Sequence, residues 1–336
     1  MSKGVFLCVG TGGHVLPAYN VIKSMLNQGL DKKNILVVTD ERGVEYFKDK
    51  DIEIIVYPFV SSQKGISAYL LKLIKMLKSI IFLYKSLKKH KPKFLFTTGA
   101  YIAPISAIVS KLLNVNFYIQ EQNVYSGLGN KIAAPFSNIV FTSFPDTQNI
   151  QKNKINYCGP ILNLDLNYKK TKVNSNFTIG FQGGSQGSEE INELVYKICE
   201  DKRYLDVDIV HITGKNNAIA NTSRINYFPH NYIHMESFYN SIDLQVSRSG
   251  GGVLEAAYLD IFQLLIPFKH GTTSSHQRLN AEYLEKINAA KIIDNYDDLT
   301  NEIDNFIKNK NKKMNKFKIE AGNSVISEIL LNELIK

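Results

Sequence analysis

The stretch VGTGGHVLPAYNVIKSML, residues 9–26, decides the fold because it joins an apolar run to a helical pattern through three glycines. The run before it, Val5–Val9, predicts a buried strand, and the pattern from about Pro17 to Asn27 predicts a helix. Such a junction presents unpaired backbone N–H groups at the positive end of a helix, where anions are stabilised. We therefore predict a strand, a glycine turn and a helix that together approach an anionic ligand.

The same alternation of short apolar runs and helical patterns continues through the first half of the chain. Further strands are predicted at Asn34–Thr39, Glu53–Pro58, Phe94–Thr98, Asn116–Gln120 and Asn138–Thr142, with an apolar helix that ends near Leu113. Alternation of this kind is typical of a parallel α/β sheet that is covered by helices on both faces.

The second half of the chain opens in the same way as the first. A polar, aperiodic segment at 159–176 predicts a linker, and FTIGFQGGSQGSEEINELVYKI at 177–198 repeats the order of strand, glycine turn and helix. Further strands are predicted near Asp208–Thr213, Asp243–Ser247 and Leu264–Pro267. We predict an α/β protein with two Rossmann-like domains facing a cleft, residues 1–160 and 161–336, in which the last helix is free to pack back on the N-terminal domain.

The positive charge of the chain is concentrated in one segment. The 336 residues carry a net charge of +9, and Ile54–Gln120 contains ten lysines, no arginine and no acidic residue. Outside that segment 30 basic residues stand against 31 acidic ones, which argues against a general nucleic-acid binder and for one local cationic face. Cys8, Cys158 and Cys199 are too scattered for a disulfide framework or a zinc site, and no secretory signal is visible.

The glycine turns do not match two common nucleotide-binding motifs. Neither Gly10–Gly13 nor Gly183–Gly187 fits the Walker pattern, and Val15 stands where a dinucleotide-binding turn has its last glycine. A third glycine-rich stretch, SRSGGGVLEAA at 247–257, also begins a helix and places Glu255 early in it. A carboxylate there either caps the helix or accepts hydrogen bonds from a sugar diol.

Five stretches of the chain, taken together and in their order, resemble the MurG family. They are GTGGHVLPA, EQNVYSGLGNK, GGSQG, SRSGGGVLEA and HQRLNAEYLEKINAAKII, and the resemblance extends from about residue 4 to residue 295. Members of that family have the two-domain GT-B fold. They transfer N-acetylglucosamine from UDP-GlcNAc to the 4-hydroxyl of lipid-linked N-acetylmuramyl pentapeptide, with inversion at the anomeric centre. The resemblance implies a hexosyltransferase of peptidoglycan synthesis that converts lipid I to lipid II.

The resemblance also implies roles in the first half of the chain, where the acceptor diphosphate and its sugar bind. His14 matches the family histidine that receives the acceptor proton, a role that suits an imidazole, whereas capping or packing is the alternative. Glu121 is the second residue expected to be catalytic. The acceptor-binding residues implied are Thr11, Gly12, Gly13, Tyr101 and Asn123. Ala100 replaces a usual glycine, and Gln120 stands where a histidine is more typical.

In the second half, the resemblance implies a site for the nucleotide sugar. Its implied residues are Ser185, Gln186, Asn192, Arg248, Glu255, Gln277 and Asn280. Glu255 would hold the ribose hydroxyls, and Gln277 and Asn280 would contact the donor sugar, although ordinary polar helix positions are the alternative for those two. No cofactor and no metal ion are expected, because helix dipoles and loop N–H groups offset the charge of the leaving UDP.

The chain departs from the family pattern near the expected nucleotide site. Leu162 replaces a cation after the linker proline, the segment 234–243 looks shortened, and the loop before Glu255 is one residue short. These departures concern the affinity for the donor more than the fold. They keep two alternatives open: a related GT-B transferase that makes glycolipids, and a non-catalytic homologue that acts as a membrane-associated binding protein.

The lysine-rich segment 64–89 predicts a long amphipathic helix. One face is expected to pack on the domain, and it contains Tyr69, Leu73, Met76, Leu77, Ile80, Leu83, Tyr84 and Leu87. Membrane-binding residues are expected on the other side, namely Leu71, Lys72, Ile74, Lys75, Lys78, Phe82 and Lys85. The alternative is a buried helix with a solvated lysine rim.

The predicted partners follow from the resemblance and from this helix. They are UDP-GlcNAc, the undecaprenyl-linked acceptor, an anionic membrane surface on the cytoplasmic face of the inner membrane and other cell-wall synthesis enzymes. A nucleic acid is not among them, and a transmembrane helix is not expected, since lysines interrupt any run that approaches the ~20 apolar residues of a span.

Overall fold

The computed structural model describes residues 3–10, 12–48, 50–59, 68–165, 168–171, 176–184, 187–214, 224–268, 274–309 and 319–335, with the backbone alone at 68–72 and 274–275. The chain divides into two compact units. Unit 1 comprises Met1–Asn163 and Glu320–Lys336, and unit 2 comprises Leu164–Ile319.

Unit 1 is built on a parallel sheet with helices between its strands. The strands are β1 (Lys3–Leu7), β2 (Ile35–Thr39), β3 (Glu53–Val56), β4 (Pro92–Thr97), β5 (Asn116–Glu121), β6 (Ile139–Thr142) and β7 (Ile155–Tyr157). The helices in the same part of the chain are α1 (Gly12–Asn27), α2 (Glu41–Val44), α3 (Ala68–Lys88), α4 (Ala103–Leu113) and α5 (Leu128–Ala133).

Unit 2 repeats this construction, and the chain then returns to unit 1. The strands of unit 2 are β8 (Thr178–Gln182), β9 (Asp208–Ile212), β10 (Tyr227–His230), β11 (Leu244–Ser247), β12 (Phe262–Leu265) and β13 (Ala290–Ile292). Its helices are α6 (Glu189–Glu200), α7 (Met235–Ser241), α8 (Val253–Tyr258), α9 (Ser274–Lys286) and α10 (Tyr296–Lys308). The last helix, α11 (Gly322–Ile335), belongs to unit 1.

The two sheets place their described strands in equivalent orders. The first order is β3-β2-β1-β4-β5-β6-β7 and the second is β10-β9-β8-β11-β12-β13, and all the pairs are parallel. In each sheet the strand order therefore reverses once, between β1 and β4 and between β8 and β11. Open parallel sheets bind ligands at the carboxyl ends of the strands beside that reversal. The predicted fold class, α/β with two Rossmann-like domains, is confirmed.

The central strands of unit 1, such as β1 and β2, are buried on both faces, as is typical of parallel sheets. In β1, Val5 and Leu7 pack into one apolar cluster, and Phe6 packs into a second cluster on the opposite face. The second cluster also contains Ile326 and Leu330 of α11. The last helix thus covers one face of the first sheet, so the end of the chain completes the core of unit 1.

The return of the chain to unit 1 is held by paired backbone and side-chain hydrogen bonds. The Asn323 amide accepts from Leu162 N at 2.8 Å and donates to Leu162 O at 3.0 Å, and Gly322 N donates to Pro160 O at 2.8 Å. Leu162 itself is fully buried. At the position where a cation was expected from the family pattern, this chain places a core residue of unit 1.

Helix α1 begins earlier than the sequence predicts. The expected start lies near Pro17, but Gly12 and Gly13 already have helical conformation. The first turn of a helix uses none of its own N–H groups in intrahelical bonds, so its ladder places no demand on Gly12 and Gly13, whereas Pro17 lies inside the helix. The glycine turn is therefore shorter than expected, and His14 lies within the first turn of the helix.

Helix α3 packs with only part of the face that the sequence predicts. Ser79, Leu83 and Leu87 are buried, and Ile80 and Tyr84 are half-buried. Leu73, Met76 and Leu77 are exposed, so the expectation that these three pack on the domain is wrong. The first half of the helix extends beyond the core. The periodicity of a sequence does not show whether a partner surface lies against that half.

The contact between the two ends of unit 1 gives a first prediction. Gly159 has φ +85°, and a Cβ on it would overlap the Glu320 carbonyl. We expect Gly159→Ala to lower the free energy of unfolding by about 3 kcal/mol, because the left-handed backbone and the overlap both oppose the methyl group. Thermal or urea unfolding measures the loss.

Gly29→Ala is the matched control, since Gly29 has φ +94° and nothing within 4 Å of its added Cβ. Its expected loss is about 1 kcal/mol, from backbone strain alone. Equal losses in the two variants would contradict the proposed importance of the contact with Glu320.

Candidate active site

His14 lies where the strand order of unit 1 reverses, and it connects the segment after β1 with the segment after β4. Its Nδ1 is 2.9 Å from the carbonyl oxygen of Thr98, which follows β4, and Thr98 Oγ1 donates to His14 O at 2.6 Å. A carbonyl oxygen only accepts, so the proton of a neutral imidazole lies on Nδ1. No described residue bonds to Nε2, and the ring is half-buried. The geometry therefore presents a basic nitrogen at the edge of the sheet.

A hydrogen bond from a neighbouring loop completes the first turn of α1. Pro17 has no N–H group, so the Gly13 carbonyl four residues earlier lacks its usual helical partner. Gln122, just after β5, donates its side-chain amide to that carbonyl at 2.6 Å. The turn that carries His14 is thus attached both to the end of β4 and to the end of β5.

The carboxylate of Glu121 organises the loop after β5. Glu121 is buried, with a residue exposure of 3%, and six groups of the chain donate to its two oxygens. Oε1 accepts from Gln122 N and from the backbone and side-chain amides of Asn123, and Oε2 accepts from Ser126 Oγ, Gly127 N and Asn130 Nδ2. All the distances lie between 2.8 and 3.1 Å. These contacts indicate a positioning residue and do not favour the predicted catalytic role of Glu121.

The second glycine loop shows how this chain accommodates Ala100. Gly99 has φ +106° and Ala100 has φ +61°. A non-glycine residue in the left-handed region is strained by about 1 kcal/mol, which is why a glycine is the usual choice there. Gly129 lies against this loop, and a Cβ on it would overlap the Ala100 carbonyl. Close packing beneath the loop thus fixes the strained conformation of Ala100.

A polar cluster that the sequence analysis did not single out lies beside the first glycine turn. Asp40, directly after β2, is buried, and its Oδ1 accepts from Gly10 N and Gly43 N, each at 3.2 Å. Its Oδ2 accepts from Arg42 Nε at 3.1 Å and Nη2 at 2.6 Å, and from Tyr101 OH at 3.4 Å. Tyr101, a predicted acceptor-binding residue, therefore lies close to the first glycine turn. Burial and the neighbouring Asp40 carboxylate raise the pKa of Tyr101 to about 12, so its hydroxyl is a donor.

In unit 2 a different pair of residues bridges the strand reversal. Arg248, directly after β11, donates through Nε and Nη2 to Ser188 Oγ at 3.1 and 2.8 Å. Ser188 caps α6, which follows β8. Arg248 also donates to Ile266 O at 3.1 Å and to the Glu190 carboxylate at 2.6 Å. The guanidinium was predicted to bind substrate, but these protein partners occupy it, and it holds the start of α6 in place.

Glu255 is placed on α8 with a buried partner. Tyr239 donates its hydroxyl to Glu255 Oε2 at 3.2 Å, and the carboxylate is buried. Burial and the adjacent carboxylate raise the pKa of Tyr239 well above its ordinary value, so that phenol stays protonated and donates. The pair fixes the orientation of the carboxylate predicted to receive the ribose hydroxyls.

Asn192 lies in a buried chain of hydrogen bonds. Its Oδ1 is 2.9 Å from His211 Nε2, and His211 Nδ1 is 2.9 Å from the Tyr227 hydroxyl. His211 on β9 is fully buried, and burial lowers the pKa of its imidazole to about 4. Asn192 thus contributes to the core of unit 2. The sequence had predicted that it contacts a ligand directly.

Two further residues of the predicted donor site, Gln277 and Asn280, support loops. Gln277 accepts from Phe268 N at 2.9 Å, just after β12. Asn280 is fully buried and donates to Ser249 O at 3.1 Å, in the glycine-rich stretch before α8. In this conformation Asn280 holds the loop. Thr11, Ser185 and Gln186 lie outside the described residues.

The structure divides the predicted membrane-binding residues into exposed and packed ones. Ile74, Lys75, Lys78 and Lys85 are exposed on α3. Phe82 is half-buried, with ring centroids 6.3 Å from Tyr57 and 5.9 Å from Phe59, and it belongs to the core of unit 1. The side chains of Leu71 and Lys72 are outside the described part. Within the described residues, no helix is both long and apolar enough to cross a bilayer.

Comparison with known proteins matches both halves of the chain to one family. The model of the glycosyltransferase family 28 N-terminal domain matches residues 5–142, and that of the C-terminal domain of the same family matches residues 178–329. The UDP-N-acetylglucosamine–N-acetylmuramyl-(pentapeptide) pyrophosphoryl-undecaprenol N-acetylglucosamine transferases of Staphylococcus aureus strains MRSA252 and JH9 are each 30% identical over 311 residues. These alignments cover 88% of this chain and 86% of each relative.

Solved structures agree on the architecture. Acinetobacter baumannii MurG superposes with a TM-score of 0.73 and 19% identity over 99% of this chain and 100% of its own. The glycotransferase of kitacinnamycin gives 0.71 and 13% over 99% and 94%, and UDP-bound MnaA of S. aureus gives 0.68 and 14% over 99% and 96%. At these identities the likeness concerns the fold alone.

The buried imidazole of His211 predicts that the protein loses stability in acid. The pKa of His211 is about 4 in the folded protein, below the ordinary value of 6.5, so the unfolded chain binds more protons between these values. The contribution is complete above pH ~6.5 and is lost as the pH falls toward 4. We expect this group to lower the free energy of unfolding by about 2 kcal/mol between pH ~7.5 and ~5. Urea unfolding at several pH values, for the wild type and for His211→Gln, measures the difference in slope.

The control for this experiment is His234→Gln, because His234 is exposed. Its pH dependence should follow that of the wild type. A His211→Gln variant with an unchanged slope would contradict the assignment.

Proposed function

The chain belongs to the MurG group of glycosyltransferase family 28, and from this premise we infer that it transfers N-acetylglucosamine from UDP-GlcNAc to lipid I, giving lipid II. The enzyme is thus a UDP-sugar-dependent hexosyltransferase of peptidoglycan synthesis. The observation on this chain that carries the inference furthest is the hydrogen bond of His14 Nδ1 to Thr98 O. It leaves Nε2 as the basic nitrogen at the edge of the sheet where a ligand is expected.

We propose that His14 is the general base of the transfer. Nε2 takes the proton of the acceptor 4-hydroxyl while the oxygen of that hydroxyl forms a bond to the anomeric carbon of the donor sugar. The bond from the same carbon to the UDP oxygen breaks, and UDP leaves with the electron pair. Attack opposite to the leaving group inverts the anomeric centre. A neutral imidazole suits this step, since its unprotonated nitrogen accepts a proton while the other nitrogen stays hydrogen-bonded.

Backbone groups of unit 2 are proposed to stabilise the charge of the leaving UDP. Gly184 and Gly187 have φ +89° and +79°, so the turn between β8 and α6 adopts a backbone that favours glycine at both positions. The turn leads into the N-terminus of the twelve-residue helix α6, and Arg248 fixes Ser188 at that end. Unpaired N–H groups at such a terminus stabilise a diphosphate. Glu255, oriented by Tyr239, is proposed to accept the ribose hydroxyls.

Glu121 is proposed to act through the loop it organises. Its carboxylate holds Asn123 and the backbone of Gln122, and Gln122 in turn supports the turn of His14. Asn123 is half-buried beside this carboxylate and is proposed to contact the acceptor sugar. The proposed role of Glu121 is therefore to position groups that act on the substrate.

The first half of α3 is proposed to contact the membrane that contains the lipid-linked acceptor. Leu73, Ile74, Leu77 and Ile81 are exposed on the same stretch as Lys75 and Lys78. Exposed apolar side chains among lysines suit the interface of an anionic bilayer, where the apolar groups insert and the ammonium groups meet lipid phosphates. This supports a peripheral enzyme on the cytoplasmic face of the membrane.

The transfer itself is tested with purified protein, labelled UDP-GlcNAc and lipid I, with lipid II identified by mass spectrometry. We expect His14→Ala to lower kcat about 10³-fold, the usual contribution of a general base, with little change in the KM for UDP-GlcNAc.

His90→Gln serves as the control. His90 lies just before β4, at the opposite end of the strands from His14, so the variant should leave the rate unchanged. A folded wild-type protein that transfers no sugar to lipid I would overturn the proposed function. Transfer to a different lipid-linked acceptor would then indicate a glycolipid transferase, and failure to bind any UDP-sugar would indicate a non-catalytic homologue.

Membrane contact by α3 is tested with vesicles that contain phosphatidylglycerol. Leu73 and Leu77 have 49% and 50% exposure, and we expect Leu73→Gln combined with Leu77→Gln to weaken binding at least tenfold. Lys75→Gln combined with Lys78→Gln should reduce the dependence of binding on salt. Sedimentation with the vesicles measures both effects.

The control replaces a similar exposed apolar surface in unit 2, with Leu205→Gln combined with Ile225→Gln, at residues of 57% and 95% exposure. It should bind like the wild type. If the control loses as much binding as the α3 variant, the contact is not specific to α3.

A further inference from the structure

Arg42 has a distinctive place among the turns at the carboxyl edge of the first sheet. The described turns there are 8–10, 12–13, 40–44, 57–59, 98–102, 122–127, 143–148 and 158–163. Across these ranges Arg42 is the only lysine or arginine. The ten lysines that dominate the charge of the segment Ile54–Gln120 are not found in these described turns. Within these described ranges, an anion bound at this edge therefore finds one side-chain cation, Arg42.

The guanidinium is held at the first glycine turn by a buried carboxylate. Asp40 Oδ2 accepts from Arg42 Nε and Nη2, while Asp40 Oδ1 accepts from Gly10 N. Nη2 lies 3.9 Å from the point where a Cβ on Gly10 would stand. One carboxylate thus fixes both the glycine backbone and the guanidinium, and the two are adjacent.

The guanidinium also remains accessible. The Arg42 side chain is 53% exposed, whereas Asp40 is 1% exposed. Asp40 binds Nε and Nη2, and Tyr101 also interacts with the guanidinium. A guanidinium carries five N–H groups, so donors beyond these contacts remain for an anion on its exposed side. A planar guanidinium presents paired donors that match two oxygens of a phosphate, and such charge-assisted bonds are strong and directional.

We propose that Arg42 binds the diphosphate of the lipid-linked acceptor, with Asp40 as the residue that positions it. The inference rests on the proposed function, from which the acceptor brings a doubly charged diphosphate to unit 1. The positive end of α1 supplies only about half an elementary charge, so a fixed guanidinium beside it adds the larger share of the compensation. A glycine at position 10 allows the phosphate oxygens to approach the backbone and Arg42 together.

The same arrangement occurs in unit 2 without a glycine turn, and it provides a matched control. Asp201 accepts from Arg203, two residues on, through Nε and through Nη2 at 2.6 Å, and the Arg203 side chain is 49% exposed. Both arginines follow an aspartate that caps a short helix. Loss of Arg203 therefore reproduces the local loss of an ion pair without affecting the proposed phosphate contact.

The experiment compares Arg42→Gln, Arg42→Lys and Arg203→Gln in the transfer assay, with lipid I and UDP-GlcNAc varied separately. We expect Arg42→Gln to raise the KM for lipid I about 30-fold, with the KM for UDP-GlcNAc unchanged and kcat within about threefold. The KM of Arg42→Lys for lipid I should lie between those of the wild type and Arg42→Gln, because lysine keeps the charge and loses the paired geometry. Arg203→Gln should leave both KM values unchanged.

A binding measurement checks the same contact without turnover. In the presence of saturating UDP, which occupies the donor site, calorimetry with inorganic pyrophosphate should show weaker binding to Arg42→Gln than to the wild type and to Arg203→Gln.

The outcomes separate this inference from the proposed function. A wild type that forms lipid II, together with an Arg42→Gln variant whose KM for lipid I stays within twofold, would overturn the role of Arg42 and leave the transferase assignment intact. A lower melting temperature with unchanged KM values in both Arg42 variants would likewise assign Arg42 to stability alone. A wild type that makes no lipid II would remove the premise itself, and equal pyrophosphate binding by wild type and Arg42→Gln would remove the contact independently of it.

Discussion

The arrangement of the first candidate site depends on one buried charge, the carboxylate of Glu121. An ionised carboxylate away from water is tolerated only when nearby donors replace its hydration. Here that requirement draws the loop after β5 into a single conformation, since six donors from a short stretch of chain must converge on two oxygens. Gln122 leaves this loop to reach the turn of His14, so the position of the basic nitrogen follows from the burial of a group that does not touch it.

Both units connect the two strands at their reversal point with side-chain to loop hydrogen bonds, although the chemistry differs. In unit 1 the connection is a histidine on a backbone carbonyl, which leaves a nitrogen available for proton transfer. In unit 2 it is an arginine on a helix-capping serine, whose guanidinium is engaged by protein partners at the helix terminus. The first arrangement provides a reactive side chain, and the second provides an ordered set of backbone donors. The proposed base on one unit and the proposed phosphate-binding terminus on the other agree with a transfer between a hydroxyl and a nucleotide sugar.

The sequence alone predicted the parallel strands and the helices that follow them through glycines, because these depend on local composition and on spacing along the chain. Other features depend on contacts distant in sequence and were missed or misjudged. The protein partners of Arg248, Ser188 and Ile266, come from other segments and do not follow from its neighbours in sequence. The packed face of α3 was drawn from periodicity, which does not show where the core ends beneath Leu73 and Leu77. Asp40 gave a weak signal, an acidic residue directly after a buried strand, but its link to Gly10 appears only in three dimensions.

Pro17 gives the first turn of α1 a property that most helices lack. A helix with a complete hydrogen-bond ladder could form on its own, but here one carbonyl of the turn finds its donor on Gln122, more than a hundred residues later. The turn that carries His14 therefore acquires its final geometry only after β5 has joined the sheet, and assembly of the site is coupled to completion of the fold. A nascent chain that ends before residue 122 would therefore contain the histidine and lack the side chain that supports its turn.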